Sequence, residues 1–269
     1  MNTQELKQLL PEITRIAKEA GQAILDIYGQ DFDVITKDDD SPLTQADLAS
    51  HQVISAALAE LTPEIPLLSE ESTDIPFTTR STWSQYWLID PLDGTKEFVN
   101  RNGEFTVNIA LISEHKPILG VVYVPVTGVT YSGLVGEGAT RSDTDGTSRA
   151  IQVRVPCADP IIVVGSRSHA NPLVVDCLET MGDYELVSMG SSLKFCLVAE
   201  GMADFYPRLG PTCEWDTGAA HAVVLAAGGR IVTLDGEPLS YNHKESFLNP
   251  EFLVIADNSR DWISPFQAS

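Results

Sequence analysis

Four oxygen-bearing groups lie within one six-residue stretch, Asp90-Pro91-Leu92-Asp93-Gly94-Thr95: two carboxylates, a hydroxyl and the Leu92 carbonyl. The apolar run 86–89 precedes it and predicts a buried strand. Pro91 has no N–H, which predicts that the strand ends there, and Asp93-Gly94 is typical of a turn. Oxygen ligands at a strand end suit hard cations such as Mg²⁺, which bind phosphate oxygens. The alternative is a plain turn in which Asp90 only caps the backbone.

The charge balance limits the classes of partner. The chain has 269 residues, is 43% hydrophobic and 20% charged, and carries a net charge of −21. This length and composition suit one large domain or two small ones. The acidic excess argues against nucleic-acid binding, which needs a basic surface. It also repels a phosphorylated substrate, so a phosphate site here needs local cations, supplied by metals or by a few placed Lys and Arg residues.

Cysteine usage and hydropathy indicate a compartment. Cys157, Cys177, Cys196 and Cys213 are widely spaced, and none belongs to a C-x-x-C pair. They predict buried thiols in a reducing compartment rather than a zinc knuckle. We find no basic-then-apolar signal pattern and no apolar run of membrane-spanning length. The prediction is a cytoplasmic protein without an integral membrane segment, monomeric or homodimeric, with a peripheral association at the inner membrane left open.

The first half, 1–148, is predicted to be an α+β unit that carries most of the acidic residues. Helical spacing of apolar residues covers 3–28, where Pro11 marks a start or a kink. Thr44 resembles an N-cap with Asp47 at N3. The predicted elements are a helix 3–28, a strand 31–37, a helix 44–61, a strand 65–71, a mobile arm 72–84, and antiparallel strands 105–112, 118–124 and 129–134. The polar stretch 136–148 is predicted to be a loop at the boundary.

The second half, 149–269, alternates strands with helices, as an α/β layer does. The predicted strands are 161–164, 184–187, 203–206, 230–234 and 252–256, and the predicted helices are 172–181, the segment between 192 and 201, and 215–227. The chain is therefore predicted to be α/β overall, with an antiparallel-rich sheet and helices in its first half.

Five residues stand where a strand ends or a helix begins: Glu70, Asp90, Asp93, Thr95 and Asp216. As a set they resemble the lithium-sensitive, Mg²⁺-dependent phosphomonoesterase superfamily of inositol monophosphatase. Its signatures stand here as WLIDPLDGT, residues 87–95, and WDTGAA, residues 215–220. The stretches 69–71 and 44–47 also fit, in the same order. The resemblance covers residue 10 to the end and implies a layered α-β-α-β-α sandwich.

Within the superfamily, the chain is most similar to the CysQ-type 3'(2'),5'-bisphosphate nucleotidases. Three stretches carry this likeness: DGTKEF with RNGEFTVN, residues 93–98 and 101–108; GSRSH, residues 165–169; and GSSLK, residues 190–194. The resemblance implies removal of the 3'-phosphate from adenosine 3',5'-bisphosphate, a by-product of sulfate activation, and possibly from 3'-phosphoadenylyl sulfate.

The resemblance also implies a mechanism. Two or three Mg²⁺ ions would be held by Glu70, Asp90, Asp93, Asp216 and the Leu92 carbonyl. One ion would activate a water and another would stabilise the leaving oxygen. Thr95, oriented by Asp47, would position that water, with Glu70 also counted as catalytic. Attack would be in line, without a covalent intermediate, and Glu71 is expected to point away from the metals.

A small phosphorylated nucleotide is the implied partner. The expected substrate contacts are Glu70, Asp93, Gly94, Thr95, Lys96, His169, Ser191, Lys194, Arg208 and Asp216. Gly94 and Thr95 offer N–H groups to a phosphate, and Lys194 offers a point charge to the second phosphate. Simpler interpretations stay open at this point: Ser191 as an N-cap, Lys194 as a surface lysine, His169 as a loop residue, and Asp47 and Asp216 as helix caps.

Three competing functions stay open. A broader inositol- or sugar-phosphate phosphatase would use the same metals but no second-phosphate contact. A haloacid-dehalogenase-type phosphatase needs D-x-D-G-T, whereas the spacing here, D-x-x-D-G-T, is one residue longer. A non-catalytic nucleotide or metal sensor would not need the whole set of Glu70, Asp90, Asp93, Thr95 and Asp216.

Overall fold

The first half of the chain builds a seven-stranded sheet whose strands lie in sequence order. The computed structural model describes residues 1–30, 42–165, 172–258 and 260–267. The strands are β1 Leu67–Ser69, β2 Gln85–Asp93, β3 Thr106–Ser113, β4 Lys116–Tyr123, β5 Thr130–Leu134, β6 Gly138–Ser142 and β7 Ser148–Ile151. β1 and β2 run parallel and every later pair is antiparallel. The carboxyl ends of β1 and β2 therefore lie next to each other at the same end of the sheet.

Two long helices cover one face of this sheet. They are α1 Thr3–Tyr28 and α2 Pro42–Leu61. The apolar stripe of α1 is buried against α2 and the sheet, as its 3.6-residue spacing predicts. A capping box between Asn2 and Glu5 starts α1, and Pro11 lies inside the continuous helix. Of the two roles expected for Pro11, a start of the helix is wrong, because Asn2 caps the helix nine residues earlier.

The second half forms a five-stranded mixed sheet. Its strands are β8 Ile161–Gly165, β9 Tyr184–Ser188, β10 Phe205–Arg208, β11 Arg230–Thr233 and β12 Phe252–Ile255. They are ordered β11-β12-β10-β8-β9. β8 runs parallel to β9 and β10, whereas β12 is antiparallel to both of its neighbours. The helices of this half are α5 Pro172–Thr180, α6 Leu193–Ala199, α7 Glu214–Ala226 and the short α8 Ser264–Gln267.

Helix α7 lies between the two sheets and makes them one body. One continuous apolar cluster joins residues of the first sheet, of α6 and α7, and of the second sheet. Gly120 of β4 and Gly133 of β5 allow the close approach of α7. A Cβ on Gly120 would lie 2.1 Å from the Ala219 carbonyl oxygen, and one on Gly133 would lie 2.7 Å from Val223 Cα. With α5 and α8 covering the outer face of the second sheet, the order is α-β-α-β-α, and the expected layered fold is confirmed.

Residues 72–84 are anchored, contrary to the expected mobile arm. They contain α3 Phe77–Arg80, and Arg80 is only 1% exposed. Its guanidinium donates to the Asn242 side chain, to the Lys244 carbonyl at 3.0 Å and to the Glu245 carbonyl at 2.5 Å. A buried charge needs such partners, and here they come from a loop more than 160 residues later in the chain.

Two other expectations about elements are wrong, and two are not tested by the described residues. Residues 136–148 are not a loop, because β6 and β7 extend the antiparallel sheet through them. The proposed boundary at 148 falls at the start of β7, and the division into two domains stays a prediction. Helix α2 begins by Pro42, a favoured first-turn residue, so Thr44 lies inside it and is not its N-cap. The expected strand 31–37 lies outside the described residues.

The four cysteines are free thiols that differ in burial. Cys177 and Cys196 are buried, whereas Cys157 and Cys213 are partly buried.

Within the described ranges, none of the helices combines the length and the apolar character needed to cross a membrane.

A buried histidine predicts how stability depends on pH. His221 of α7 is 2% exposed and its Nδ1 lies 2.9 Å from the Tyr241 hydroxyl. Burial lowers the pKa of His221 to about 3. The folded chain therefore leaves His221 neutral while the unfolded chain protonates it near pH 6.5. This group costs stability as pH falls from about 6.5 towards 3, by up to about 1.4 kcal/mol per pH unit.

We expect His221→Gln to remove this dependence. Urea unfolding of both proteins in EDTA, at pH 7.5 and at pH 5, measures it. The free energy of unfolding of the original chain should fall by about 1–2 kcal/mol more than that of the variant. An equal fall in both proteins would contradict the assignment.

Candidate active site and metal centre

A β-bulge at the end of β2 places Asp90 and Asp93 on one face of the sheet. Asp90 pairs with Asn108 and Asp93 pairs with Thr106, so two residues of β2 oppose one of β3. In a regular strand, side chains three residues apart point to opposite faces of the sheet. The extra residue of the bulge turns Asp93 to the same face as Asp90. Both carboxylates therefore share the face that carries Asn108 and Thr106.

The prediction that the strand ends at Pro91 is wrong, because Pro91 lies inside this bulge. β2 continues through it to Asp93, because a bulge is a place in a sheet where a missing N–H is tolerated. The Pro91 carbonyl accepts a hydrogen bond from Ser50 Oγ of α2 at 2.8 Å. Asp90 is 1% exposed, and its Oδ1 accepts from the Leu92 N–H at 3.0 Å. The bulge is thus held rigidly from both sides.

Thr95 follows directly. Gly94 has φ +98°, a left-handed conformation that glycine adopts without strain, and Thr95 then begins the short helix α4 Thr95–Val99. Lys96 is exposed and Thr95 is partly buried. This turn places Gly94, Thr95 and Lys96 immediately beyond the two aspartates.

The parallel pairing of β1 with β2 brings a third carboxylate to the same edge. Ser69 pairs with Ile89, and the Glu70 N–H donates to the Ile89 carbonyl at 3.4 Å. Glu70 thus stands beside Asp90. Asp47 of α2 is 3% exposed and lies close enough to raise the pKa of Asp90 by repulsion.

Asp216 comes from the second half of the chain. It is the third residue of α7, and its Oδ2 accepts from the Cys213 N–H at 2.9 Å, which completes a capping box. It therefore caps a helix, as its simpler interpretation held. It also faces the acidic group of the first half, because Asp93 and Glu70 both act on its pKa.

Burial and mutual repulsion dominate the electrostatics of these carboxylates. Burial is the main cause that raises the pKa of Asp90 well above its usual range, followed by repulsion from Asp93, Glu70, Asp216 and Asp47. Burial and the nearby Asp93 raise the pKa of Asp216 to about 7. Burial also raises the pKa of Asp93, whereas Lys194 and the Ser192 N–H oppose that rise. A group of buried anions of this kind calls for cations.

The donor chemistry fits Mg²⁺. The carboxylates that converge here offer oxygen ligands only, which hard cations prefer. Across the described ranges, however, no three His, Cys, Asp or Glu side chains form a ready-made metal cluster. Asp93 Oδ2 accepts from the Ser192 N–H at 2.5 Å, and Asp216 Oδ2 is turned to Cys213. Repulsion between the carboxylates favours such backbone partners.

A cavity of about 200 Å³ opens between the two halves beside this group. The residues that line it are Asp93, Gly94, Lys96, Glu97, Ser191, Ser192, Lys194, Phe195, Tyr206, Arg208, Thr212 and Asp216. Seven of the expected site residues are among them. Asp47, Glu70, Asp90, Leu92 and Thr95 are not, and they lie in the layer behind the cavity wall or beside it. His169 lies outside the described residues.

Besides Asp216, the second half of the chain lines the cavity with two basic residues and several polar ones. Lys194 is 8% exposed, and its Nζ donates to the Ser191 carbonyl at 2.6 Å. Burial lowers the pKa of Lys194, whereas Asp93 opposes that change. Arg208 donates to the Pro211 carbonyl at 2.7 Å. Lys194 is therefore not the surface lysine of its simpler interpretation.

Two buried hydroxyls in the lining of the cavity are available to hydrogen-bond a bound ligand. Ser191 Oγ and Thr212 Oγ1 are buried and have no hydrogen-bond partner among the described residues. Buried hydroxyls normally find a partner. An oxygen-rich ligand in the cavity would satisfy both.

Ser191 is not the N-cap that its sequence context suggested. Ser192 occupies that position before α6, and Ser191 has φ +42°. The Ser192 hydroxyl is used elsewhere, donating to Asn108 Oδ1 at 2.9 Å and lying 2.9 Å from Thr106 Oγ1. The side chain of Ser191 is thereby left to the cavity.

Sequence reasoning missed the residues that hold the ligands in place. Thr106 and Asn108 both donate to Asp93 Oδ2 at 3.4 Å, and Ser192 binds all three. Alternation of two polar residues within the apolar strand β3 was the available signal. Thr212 had none, because it lies in an irregular segment.

Comparison with known proteins identifies the family of the chain. The model of the inositol monophosphatase family matches residues 5–262. The chain belongs to the inositol monophosphatase family. It is 52% identical over 249 residues to the 3'(2'),5'-bisphosphate nucleotidase CysQ of Escherichia coli (strain K12), which covers 91% of this chain and 99% of that protein.

Solved structures of related proteins have the same fold as this chain. The crystal structure of CysQ from Bacteroides thetaiotaomicron, a bacterial member of the inositol monophosphatase family, has a TM-score of 0.82 and 42% identity over 91% of this chain and 95% of that one. An inositol monophosphatase from Zymomonas mobilis, at 22% identity and a TM-score of 0.74, shares 96% of this chain and 95% of its own. That second likeness concerns the fold alone.

The repulsion around Asp90 yields a prediction. We expect Asp90→Asn to stabilise the metal-free protein at pH 8, because one charge leaves a buried cluster while Oδ1 can still accept from the Leu92 N–H. A raised carboxyl pKa costs stability once pH exceeds the unfolded value near 4, so the gain should reach about 1 kcal/mol or more at pH 8 and vanish near pH 4.

Thermal unfolding in EDTA and in a Mg²⁺ titration measures both effects. The original chain should gain stability as Mg²⁺ is added, and the variant should gain little. An Asp90→Asn protein that is less stable in EDTA, yet is stabilised by Mg²⁺ as strongly as the original, would refute the role of Asp90.

Proposed function

We propose that this chain is a Mg²⁺-dependent phosphomonoesterase that removes the 3'-phosphate of adenosine 3',5'-bisphosphate, and of 3'-phosphoadenylyl sulfate. The observation that carries the proposal is one cavity lined by both acidic and basic side chains. Its acidic residues include Asp93 and Asp216, and its basic residues include Lys194 and Arg208. Such a site suits a substrate with one phosphate at the metals and a second phosphate at the basic residues.

The acidic residues would hold the metal. The proposed ligands are Glu70, Asp90, Asp93, Asp216 and the Leu92 carbonyl, and two or three ions are proposed. Bound Mg²⁺ supplies Lewis acidity and lowers the pKa of a coordinated water. The bulge and the first turn of α7 fix where these ligands stand. The hydrogen bonds on Asp93 Oδ2 orient that carboxylate towards the cavity.

Thr95 and Asp47 are proposed to orient the attacking water. Thr95 stands at the start of α4, one residue after Gly94 of the cavity wall. Asp47 is buried on α2 near Asp90. If the Thr95 hydroxyl donates its hydrogen bond to the Asp47 carboxylate, its oxygen accepts a proton from water more readily. The pair would then act as a general base. Gly94 lets the backbone approach the phosphate closely.

The basic residues would select the nucleotide. Lys194, Arg208 and Lys96 stand in a chain of net charge −21, so they supply local positive potential where the global field is repulsive. Ser191 adds its hydroxyl. We include His169 among the proposed contacts on sequence grounds alone. A cytoplasmic location and a monomeric or homodimeric state also stay predictions from the sequence.

Phosphate release tests the function directly. The substrates are adenosine 3',5'-bisphosphate, 3'-phosphoadenylyl sulfate and inositol 1-phosphate, each with Mg²⁺, with EDTA, and with Mg²⁺ plus Li⁺. We expect the bisphosphate to be hydrolysed with the highest kcat/KM, EDTA to abolish turnover and Li⁺ to inhibit it. A preference for inositol 1-phosphate would replace the proposal with an inositol phosphatase, and Mg²⁺ and nucleotide binding without turnover would indicate a sensor.

Lys194→Ala should separate binding of the second phosphate from chemistry. We expect KM for adenosine 3',5'-bisphosphate to rise about tenfold, because a charge-assisted contact is worth about 1.5–3 kcal/mol and part of it is replaced by water. The kcat should change less, since the reacting phosphate is proposed to bind at the metals and not at Lys194. Lys18→Ala, on the exposed face of α1, is the matched control. An unchanged KM in the Lys194 variant would remove Lys194 from the site.

A further inference from the structure

The segment Gly190-Ser191-Ser192 is held in a conformation that it would not adopt alone. Ser191 has φ +42°, a left-handed value that costs free energy for any residue with a side chain and persists only where surrounding contacts impose it. Lys194 Nζ binds the Ser191 carbonyl at 2.6 Å. This conformation directs Ser191 to the cavity, where its buried hydroxyl has no partner in the described part of the chain.

Two carboxylates of the first half fix the segment from either end. Asp93 Oδ2 accepts from the Ser192 N–H at 2.5 Å, and Glu104 Oε2 accepts from the Gly190 N–H at 2.8 Å. Asp93 is a proposed metal ligand. Glu104 is not among the residues that line the cavity and has no assigned role. It lies just before β3, the strand that carries the partners of Asp93.

Gly190 fits this contact closely. A Cβ at Gly190 would lie 2.6 Å from Glu97 Cγ, 3.0 Å from Glu104 Cβ and 3.0 Å from the Glu104 carbonyl oxygen. Only a residue without a side chain lets the Gly190 N–H reach the Glu104 carboxylate. Glu104 also acts on Lys194 by charge, favouring its protonated form.

We propose that Glu104 is a specificity-determining positioning residue: by holding the Gly190 N–H across the seam between the two halves, it sets Ser191 and Lys194 in place for the second phosphate of the substrate. The proposal rests on the nucleotidase function proposed above. Glu104 itself touches neither the substrate nor the metals. Loss of Glu104 should therefore weaken recognition of the second phosphate and leave hydrolysis of the first phosphate unchanged.

Two substitutions separate the possible roles of Glu104. Glu104→Gln keeps an oxygen that accepts from the Gly190 N–H and removes the charge, whereas Glu104→Ala removes both. Gly190→Ala breaks the same contact from the other side. Glu60→Ala, which removes a negative charge from an exposed position of α2, is the control for the loss of one carboxylate. Thermal unfolding establishes that each variant is folded.

The measurements compare substrates with and without the second phosphate. They are kcat and KM for adenosine 3',5'-bisphosphate and for adenosine 3'-monophosphate, and Ki for adenosine 5'-monophosphate and for inorganic phosphate. For Glu104→Ala and Gly190→Ala we expect KM for the bisphosphate and Ki for adenosine 5'-monophosphate to rise about tenfold, the effect of losing one well-placed hydrogen bond to a charged group. The other constants should change much less. Glu104→Gln should recover most of the loss.

The outcomes distinguish this proposal from the function on which it rests. If the original chain does not prefer the bisphosphate over the 3'-monophosphate, the nucleotidase function fails first. If it does prefer the bisphosphate and Glu104→Ala keeps that preference, only the role of Glu104 is overturned. Equal losses on both substrates, or a fall in kcat alone, would show a general structural role and would likewise overturn it.

Discussion

The structure depends on one constraint: several carboxylates must lie close together at the seam of two sheets, although burial and mutual repulsion oppose this. Asp90 is almost inaccessible and is repelled by Asp93, Glu70 and Asp216. Burial of like charges opposes folding. The fold tolerates it because rigid features hold each group: a bulge in β2, the parallel β1–β2 pair and a capped helix. The same repulsion provides the free energy for cation binding, because a bound cation relieves it.

Helix α7 links this constraint to the overall architecture. Its first turn supplies Asp216, and its body packs against both sheets through the glycines of β4 and β5. Asp216 is therefore fixed relative to β2, although 123 positions separate it from Asp93 in the sequence. The first turn is itself braced, since both Glu214 carboxylate oxygens accept from the Asn242 N–H at 2.9 Å and Asn242 binds the buried Arg80. The position of the acidic group thus follows from packing far from the cavity.

Local patterns in the sequence predicted an α/β chain and the strand ends and helix starts that carry the acidic residues, because each lies in a motif with a physical reason. The layered arrangement came from the resemblance to a family. Sequence reasoning failed where a conformation is imposed from far along the chain. Pro91 sits in a bulge defined by the pairing of Asp90 and Asp93 with Asn108 and Thr106 of β3. Ser191 is left-handed, and contacts from the first half hold both of its neighbours. Arg80 looked like part of a polar arm because its partners lie more than 160 residues later.

Under the proposed function, recognition and chemistry would meet at the seam between the two halves. Asp93 accepts from the Ser192 N–H, and Lys194 lies near enough to lower the pKa of Asp93. A cation that draws on Asp93 therefore changes the balance of charge felt by Lys194, and an anion at Lys194 changes the balance felt by Asp93. Bound cations would neutralise the carboxylates, and a bound phosphate would neutralise the basic residues. A substrate with two phosphates, together with its metals, would therefore balance both sets of charges. A substrate with one phosphate would leave the basic residues hydrated.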